Sequence, residues 1–288
     1  MSAARKALRR IIAEPGLVPI AGCYDVLSVK MAERAGFPVV HSSGYNLSAC
    51  HLGLPDVGYL TMAENVAYTA RMAANVDVPL IADGDDGYGN YLNVGRLIVD
   101  MERAGVAGIH IEDQVLPKRC GHMAGKRVVP QADMVQKIKA AVDARRDPDF
   151  VIIARTDAIA VTGIDDAIAR ARAYREAGAD VSFVEAPVDE AQFQRIVKDV
   201  PGPLLYNWVF KGKSPMLPAA RIRALGYKFV LCTDVLLAVA DTVSEFFKEM
   251  KSAGTCAGFG DRMMSFDDFN DLIGLGRVSA LDRRYGGA

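Results

Sequence analysis

The sequence predicts an α/β protein folded as a (β/α)8 TIM-type barrel with a C-terminal helical extension, and three observations carry that reading. Eight short apolar runs recur along its 288 residues, at 18–22, 38–42, 79–83, 108–112, 150–155, 181–185, 203–207 and 228–232. Segments with apolar residues at helical spacing lie between them, at 26–34, 62–74, 93–103, 133–144, 165–176 and 219–225. A weak repeat stands just ahead of several runs: Glu33-Arg34-Ala35-Gly36, Glu102-Arg103-Ala104-Gly105, Glu176-Ala177-Gly178 and Ala224-Leu225-Gly226. Nearly continuous apolar strands belong to a sheet covered on both faces, hence a parallel one wrapped by helices. Glycine past a helix end supplies the left-handed conformation that turns the chain into the next strand. Eight such units suit a barrel, whose usual size is about 250 residues. An open doubly wound sheet is the alternative.

The elements follow in order. Residues 3–14 place Leu8, Ile11 and Ile12 at helical spacing, and Pro15-Gly16 closes that helix. The eight strand–helix units then run to about residue 232 without a Pro- or Ser-rich linker. Residues 1–288 therefore read as a single barrel domain. Its tail, 235–288, forms the helical extension: a helix through residue 250, a Gly-rich break at 254–260 and a short helical segment at 266–275.

A formal net charge of −1 gives no reason to expect nucleic acid or an anionic membrane as a partner. No stretch approaches the roughly 20 apolar residues that span a bilayer, and no signal-peptide core follows the basic start. Five cysteines without CxxC spacing suggest neither a zinc cluster nor a disulfide framework. These features predict a cytoplasmic protein in a reducing compartment.

Functional groups of a parallel barrel sit at the C-terminal ends of its strands. That edge carries Ser43 and Gly44 after the second strand, then Asp83, Asp85 and Asp86 after the third. His110, Glu112 and Asp113 close the fourth, Arg155 and Asp157 the fifth, Glu185 the sixth and Asn207 the seventh, and Thr233 follows the eighth. Hard divalent ions favour carboxylates grouped as in Asp83-Gly84-Asp85-Asp86 with Glu112, whereas an acidic surface turn is the plainer reading. Asp56 adds an outer acid or serves only as a turn residue. A lone cysteine is usually a small core residue. Cys120, however, sits in a polar loop beside Lys118, Arg119 and His122, where neighbouring cations are expected to lower the thiol pKa and make it useful for proton transfer. Cys23, Cys50, Cys232 and Cys256 lack such company and read as packing. His122 stands ahead of His41, His51 and His110 as a functional histidine. Arg155 suits a substrate carboxylate, or else a structural ion pair with Asp157 or Glu185.

Asp83-Gly-Asp-Asp-Gly-Tyr-Gly-Asn90, Ile111-Glu-Asp-Gln114, Lys118-Arg-Cys-Gly-His122 and Ala154-Arg-Thr-Asp157, in that order, resemble the isocitrate lyase/phosphoenolpyruvate mutase superfamily. The likeness runs from about residue 18 to 250. It leans toward the short lyases of the 2-methylisocitrate, 2,3-dimethylmalate and petal-death types. The resemblance implies a (β/α)8 barrel, an Mg2+ or Mn2+ ion, a mobile loop over the site, and homotetramers that exchange a C-terminal helix. It implies Asp83 as the direct metal ligand, with Asp56, Asp85 and Glu112 holding its waters. Ser43, Gly44, Arg155, Glu185 and Asn207 would grip a small carboxylic acid substrate, with Tyr45 and Thr233 shaping the pocket. Lys118, Cys120 and His122 would lie on the gating loop, to which Gly121 and Gly125 give freedom.

The implied reaction is metal-dependent cleavage of a 2-hydroxy di- or tricarboxylate to a 2-oxo acid and a second acid, with Cys120 as proton donor. Mutase members of the superfamily do not use this cysteine for their chemistry. Three positions depart from the short-lyase pattern: Tyr45 in place of a glycine, Asp86 in place of a neutral residue, and Thr233 where many lyases carry proline. A hydroxyl at 233 suits the hydrated oxaloacetate of an oxaloacetate hydrolase, and Trp208 is expected to fill space that a larger substituent needs. A barrel that binds small acids without turnover is the non-enzymatic alternative.

Overall fold

The computed structural model describes residues 3–286 and divides the chain into two compact units, Met1–Asp234 and Val235–Ala288. The first unit is a closed barrel of eight parallel strands in sequence order. These are β1 (Val18–Cys23), β2 (Val39–Ser42), β3 (Leu80–Asp83), β4 (Gly108–Glu112), β5 (Val151–Thr156), β6 (Val181–Val184), β7 (Leu204–Trp208) and β8 (Phe229–Cys232). Helix α1 (Ala3–Ala13) precedes the barrel. Around it run α2 (Val26–Arg34), α3 (Gly44–Leu47), α4 (Met62–Ala73), α5 (Tyr91–Arg103), α6 (Gln131–Ala144), α7 (Ile164–Glu176), α8 (Glu190–Asp199) and α9 (Ala219–Leu225). Among the described residues no helix is long and apolar enough to cross a membrane.

Strand alternation explains both the core and the position of the site. Ile20, Val39, Ile81, Val151, Ile153, Val181, Phe183, Leu205, Phe229 and Leu231 form one buried cluster drawn from nearly every strand, which is the barrel interior. The intervening residues, such as Val40, Leu80, Ala82, Ile109 and Ile152, pack outward under the helices. Each such side chain contributes about 1.5–3 kcal/mol by leaving water. Leu8 of α1 joins the interior cluster and is fully buried, so α1 stoppers the N-terminal end of the barrel. Arg5 fixes that helix, donating to Val106 O at 3.0 Å and pairing with Asp147 at 3.0 Å.

Two residues further along each strand, the same inward parity brings His41 after Val39, Asp83 after Ile81 and His110 after Gly108. It likewise brings Arg155 after Ile153 and Asn207 after Leu205. The barrel is thus apolar at its base and ionic at its mouth.

The glycine repeat does what its position suggests. Gly36 and Gly105 both have φ of 86°, and each donates its N–H back to the glutamate three residues earlier, Glu33 and Glu102. Caps start several helices: Asp25 for α2, Thr61 with Glu64 for α4, and Asn90 for α5.

Two elements were not expected from periodicity. Helix α8 turns only Phe193 and Ile196 into the core, too few apolar positions to announce a helix in a polar stretch. In the second unit, α10 (Val235–Ala253) is followed by a 3-10 turn, then α11 (Phe266–Leu272) and α12 (Leu275–Tyr285). The single short segment expected at 266–275 is instead two helices, because Gly274 at φ 87° breaks them apart. Within this unit Phe259 is buried against Phe246, ring centroids 5.3 Å apart, while Phe247, Phe266, Leu275 and Val278 are exposed.

Candidate active site

The residues at the barrel mouth converge. Asp83, the last residue of β3, accepts hydrogen bonds from Gly44 N at 2.9 Å and Asp85 N at 3.0 Å. Its Oδ1 lies 3.5 Å from His110 Nε2. Gly44 must lack a side chain here, since a Cβ would lie 2.8 Å from Asp83 Oδ2. Ser43 is the N-cap of α3. Burial opposes charge on Asp83, but His110, Lys118, His41 and Arg155 outweigh it and hold the carboxyl below its ordinary range. Asp85 goes the other way: burial, with Asp83 and Asp56 nearby, pushes it up to about 7 despite Lys118. It also sits at φ 46°, an unfavoured conformation for a non-glycine residue; Ala186 and Lys211, at φ 58° and 55°, share that strain near the same mouth.

Lys118 ties the acids together. Its ammonium pairs with Asp56 and lies 2.6 Å from Asp85, and all three side chains are buried. Glu112 presents Oε2 to Arg155 Nε at 3.2 Å, while its Oε1 is buried without a hydrogen-bond partner. Burial raises the Glu112 carboxyl well above its usual value, against the pull of Arg155. The unpartnered Glu112 oxygen and the carboxylates of Asp83 and Asp85 have the oxygen-donor chemistry that a hard divalent ion takes. His41 and His110 flank the same Asp83; one ligand atom from each of these three residues lies within 4.8 Å of the others. Both ring nitrogens of His41 lack a partner, and burial lowers its pKa to about 3.

Arg155 makes both of the ion pairs that its structural reading names. Its Nε donates to Asp157 at 2.9 Å, and its Nη2 lies 3.5 Å from Glu185 Oε2, at the centre of the polar cluster. The guanidinium also rests over the Phe183 ring at 5.1 Å. Asn207 Oδ1 is buried and unpartnered, whereas Thr233 is only half-buried and its carbonyl accepts from Asn46.

The loop 115–129 covers this cluster. At its base Gln114 bridges to Val128, and the Gln114 side chain bonds both Arg119 N and Arg119 O. Beyond Lys118, His122 reaches Glu185 at 3.0 Å and Lys126 reaches Asp157 at 2.7 Å. Gly121 lies against Arg155 and Glu185; a Cβ there would come within 2.7 Å of Glu185 Cγ. Burial pushes the Cys120 thiol up to about 11, with Asp56 and Glu185 adding to it. Tyr45, half-buried, faces the same region, its hydroxyl raised by burial and then by Cys120 and Asp56.

Several expectations are corrected. Trp208 does not enter the pocket: it packs outward with the cluster around Tyr206 and Ile222, and its Nε1 donates to Leu217 O at 2.9 Å. Its parity, opposite to Asn207, is the reason. Asp86 turns toward α6, 3.6 Å from Lys137 Nζ, and adds no carboxylate to the cluster. Cys50 is exposed, on the π-helical turn Ser48–Leu52, so it is not a packing residue. Sequence reasoning overlooked Lys126 and Asn65; the Asn65 side chain donates to Asp83 O at 2.6 Å. Neither carries a local signal, because each acts on a residue far along the chain.

The model of the family described as phosphoenolpyruvate phosphomutase matches residues 8–251. The chain is 44% identical to the 2,3-dimethylmalate lyase of Eubacterium barkeri over 279 residues, 96% of each chain. It is 40% identical to the 2-methylisocitrate lyase of Aeropyrum pernix over 268 residues, 93% of this chain and 86% of the other. Among solved structures, oxaloacetate acetylhydrolase bound to the inhibitor 3,3-difluorooxalacetate superposes with a TM-score of 0.93 at 33% identity, covering 99% of this chain and 98% of that one. A phosphonopyruvate hydrolase complex with oxalate and Mg++ gives a TM-score of 0.89 at 32% identity over the full length of both chains.

Proposed function

The chain belongs to the phosphoenolpyruvate phosphomutase family, and we propose that within it this carbon–carbon lyase cleaves a 2-hydroxy dicarboxylate or tricarboxylate of the 2,3-dimethylmalate or 2-methylisocitrate type. The observation that carries this reading is Cys120, half-buried on a loop whose next residue, Gly121, is seated against Arg155 and Glu185. Asp83, Asp85 and Glu112, with Asp56 behind them, would hold Mg2+ or Mn2+; the ion supplies polarisation of the substrate's carboxylate and hydroxyl oxygens.

The protein's part is orientation and proton delivery. Arg155, Ser43 and Gly44 hold the carboxylate next to the hydroxyl, Glu185 orients the Arg155 guanidinium, and Asn207, Tyr45 and Thr233 bound the rest of the pocket. Once a base at the mouth has taken the hydroxyl proton, the C2–C3 bond breaks and C2 becomes the carbonyl of a 2-oxo acid. The bonding pair passes to C3 and spreads into its carboxylate. Cys120 then gives its proton to C3, completing the second acid. A thiol held near 11 is a proton reservoir at neutral pH, and its donation contributes about 10²–10⁴-fold in rate. Lys118 and His122 seat the loop against the acids and Glu185 and keep water out.

Incubation with Mg2+ and a panel of malate and isocitrate derivatives should release a 2-oxo acid from at least one. Cys120→Ala should lower that rate about 10²–10⁴-fold while leaving the circular dichroism spectrum unchanged. No 2-oxo acid from any compound, with an intact fold, ends the lyase reading. A second reading, hydrolysis of oxaloacetate to oxalate and acetate, draws on the Thr233 hydroxyl at the mouth and the acetylhydrolase likeness; oxalate as product identifies it. Ligand-dependent thermal stabilisation without any product would instead mark a binding protein.

The same reading takes 235–288 as the arm exchanged between subunits of a homotetramer. Its support is the exposed apolar series Phe247, Phe266, Leu275 and Val278.

A further inference from the structure

We propose that the segment 209–217 after β7 is a rigid receiver for the loop 115–129, and that Gly212 is a positioning residue whose missing side chain lets His122 seat. This rests on the reading above, in which that loop opens and closes over the site. The receiver is pinned at three places. Tyr206 donates its hydroxyl to Pro215 O at 2.6 Å, Trp208 Nε1 donates to Leu217 O at 2.9 Å, and Phe210 N donates to Asp234 Oδ2 at 2.7 Å. Two pins come from β7 itself and the third from the end of β8, so the segment is held to the barrel independently of the loop. Lys211 takes a φ of 55°, turning the chain so that the next residues meet the loop.

His122 docks there by Nδ1. Its Nδ1 accepts from Lys213 N at 3.0 Å, and its Nε2 faces Glu185 Oε1 at 3.0 Å. With Nδ1 accepting from a backbone N–H, the neutral ring carries its proton on Nε2, which stands close to the Glu185 carboxylate. A Cβ on Gly212 would lie 2.5 Å from His122 Nδ1 and 3.0 Å from Cε1. Gly212 is not in the left-handed region, so alanine there meets the imidazole rather than a backbone barrier. Displacing His122 shifts its neighbour Gly121 off Arg155 and Glu185 and moves Cys120 with it. A misplacement of about 1 Å at a reacting group costs about 10²-fold in rate.

The test compares wild type, Gly212→Ala and Lys213→Pro, the last of which removes the N–H without adding a Cβ at 212. Hydrogen exchange of the peptide covering 115–129 is followed with and without Mg2+ plus oxalate as the probe. Wild type is expected to gain protection, and both variants to lose most of that gain. Their kcat should fall about 10²-fold with KM changed far less, and Gly212→Ala should add little to His122→Ala, because both break one contact. Wild-type-like protection in Gly212→Ala, or effects fully additive with His122→Ala, overturns the receiver. A wild-type peptide that Mg2+ and oxalate never protect overturns the moving loop itself, which is a different failure. The fluorescence of Trp208, the sole tryptophan, reports whether the receiver has kept its own pins in each variant.

Discussion

Cysteine chemistry separates the thiols of this chain by environment rather than by neighbours in sequence. Cations beside Cys120 in the chain suggested an acidified thiol, yet burial dominates and holds it at about 11. Its donor form therefore persists from neutrality until the pH approaches that value, and only above it should the thiol lose its proton. Cys23 is buried and held at about 12, so it too stays neutral. Cys50 is exposed. In native protein at mildly alkaline pH, iodoacetamide labelling followed by peptide mass spectrometry should mark Cys50 first and leave Cys23 unmarked until denaturant is added. Early labelling of Cys23 would contradict the packing described for β1. At this scale the sequence showed which polar residues gather at the strand ends but not which way each one faces. Trp208 was misjudged although strand parity already opposed it to Asn207, whereas the partners of Lys126 and Asn65 are invisible without the folded chain.

The elements around the mouth are tied by one buried acid. Asp113, just past β4, accepts from Thr156 Oγ1 at 2.7 Å, Asp157 N at 2.9 Å and Tyr174 Oη at 2.8 Å. Arg170 of α7 lies 3.3 Å from it and also donates to Val129 O at the end of the loop. Removing Asp113 leaves a buried guanidinium and hydroxyls without their acceptor, so Asp113→Ala should cost about 3–5 kcal/mol, read from the midpoint shift in urea. A loss below about 1 kcal/mol would show that Arg170 and Tyr174 find other partners. The strands were legible because both faces are apolar, and the helices because their buried stripe recurs every three or four residues. Helix α8, with two core residues, gave too little of that stripe. The loop's composition was legible, but its seating depends on contacts such as Lys126 with Asp157, 31 residues apart.

On the scale of the whole chain, the eight-fold repeat made the barrel readable from spacing alone, since closure follows from eight units of one kind. Assembly is a different matter, because apolar residues on an exposed helix do not name what covers them. A homotetramer predicts a solution mass about four times the 31.0 kDa chain by light scattering, and a mass equal to the chain itself would exclude it. The apolar base of the barrel bears on traffic as well as stability. With Leu8 capping one end and side chains filling the interior, the barrel offers no passage and is open only at its ionic end. Whatever binds at that mouth must come and go on the one side, past the segment that holds the thiol.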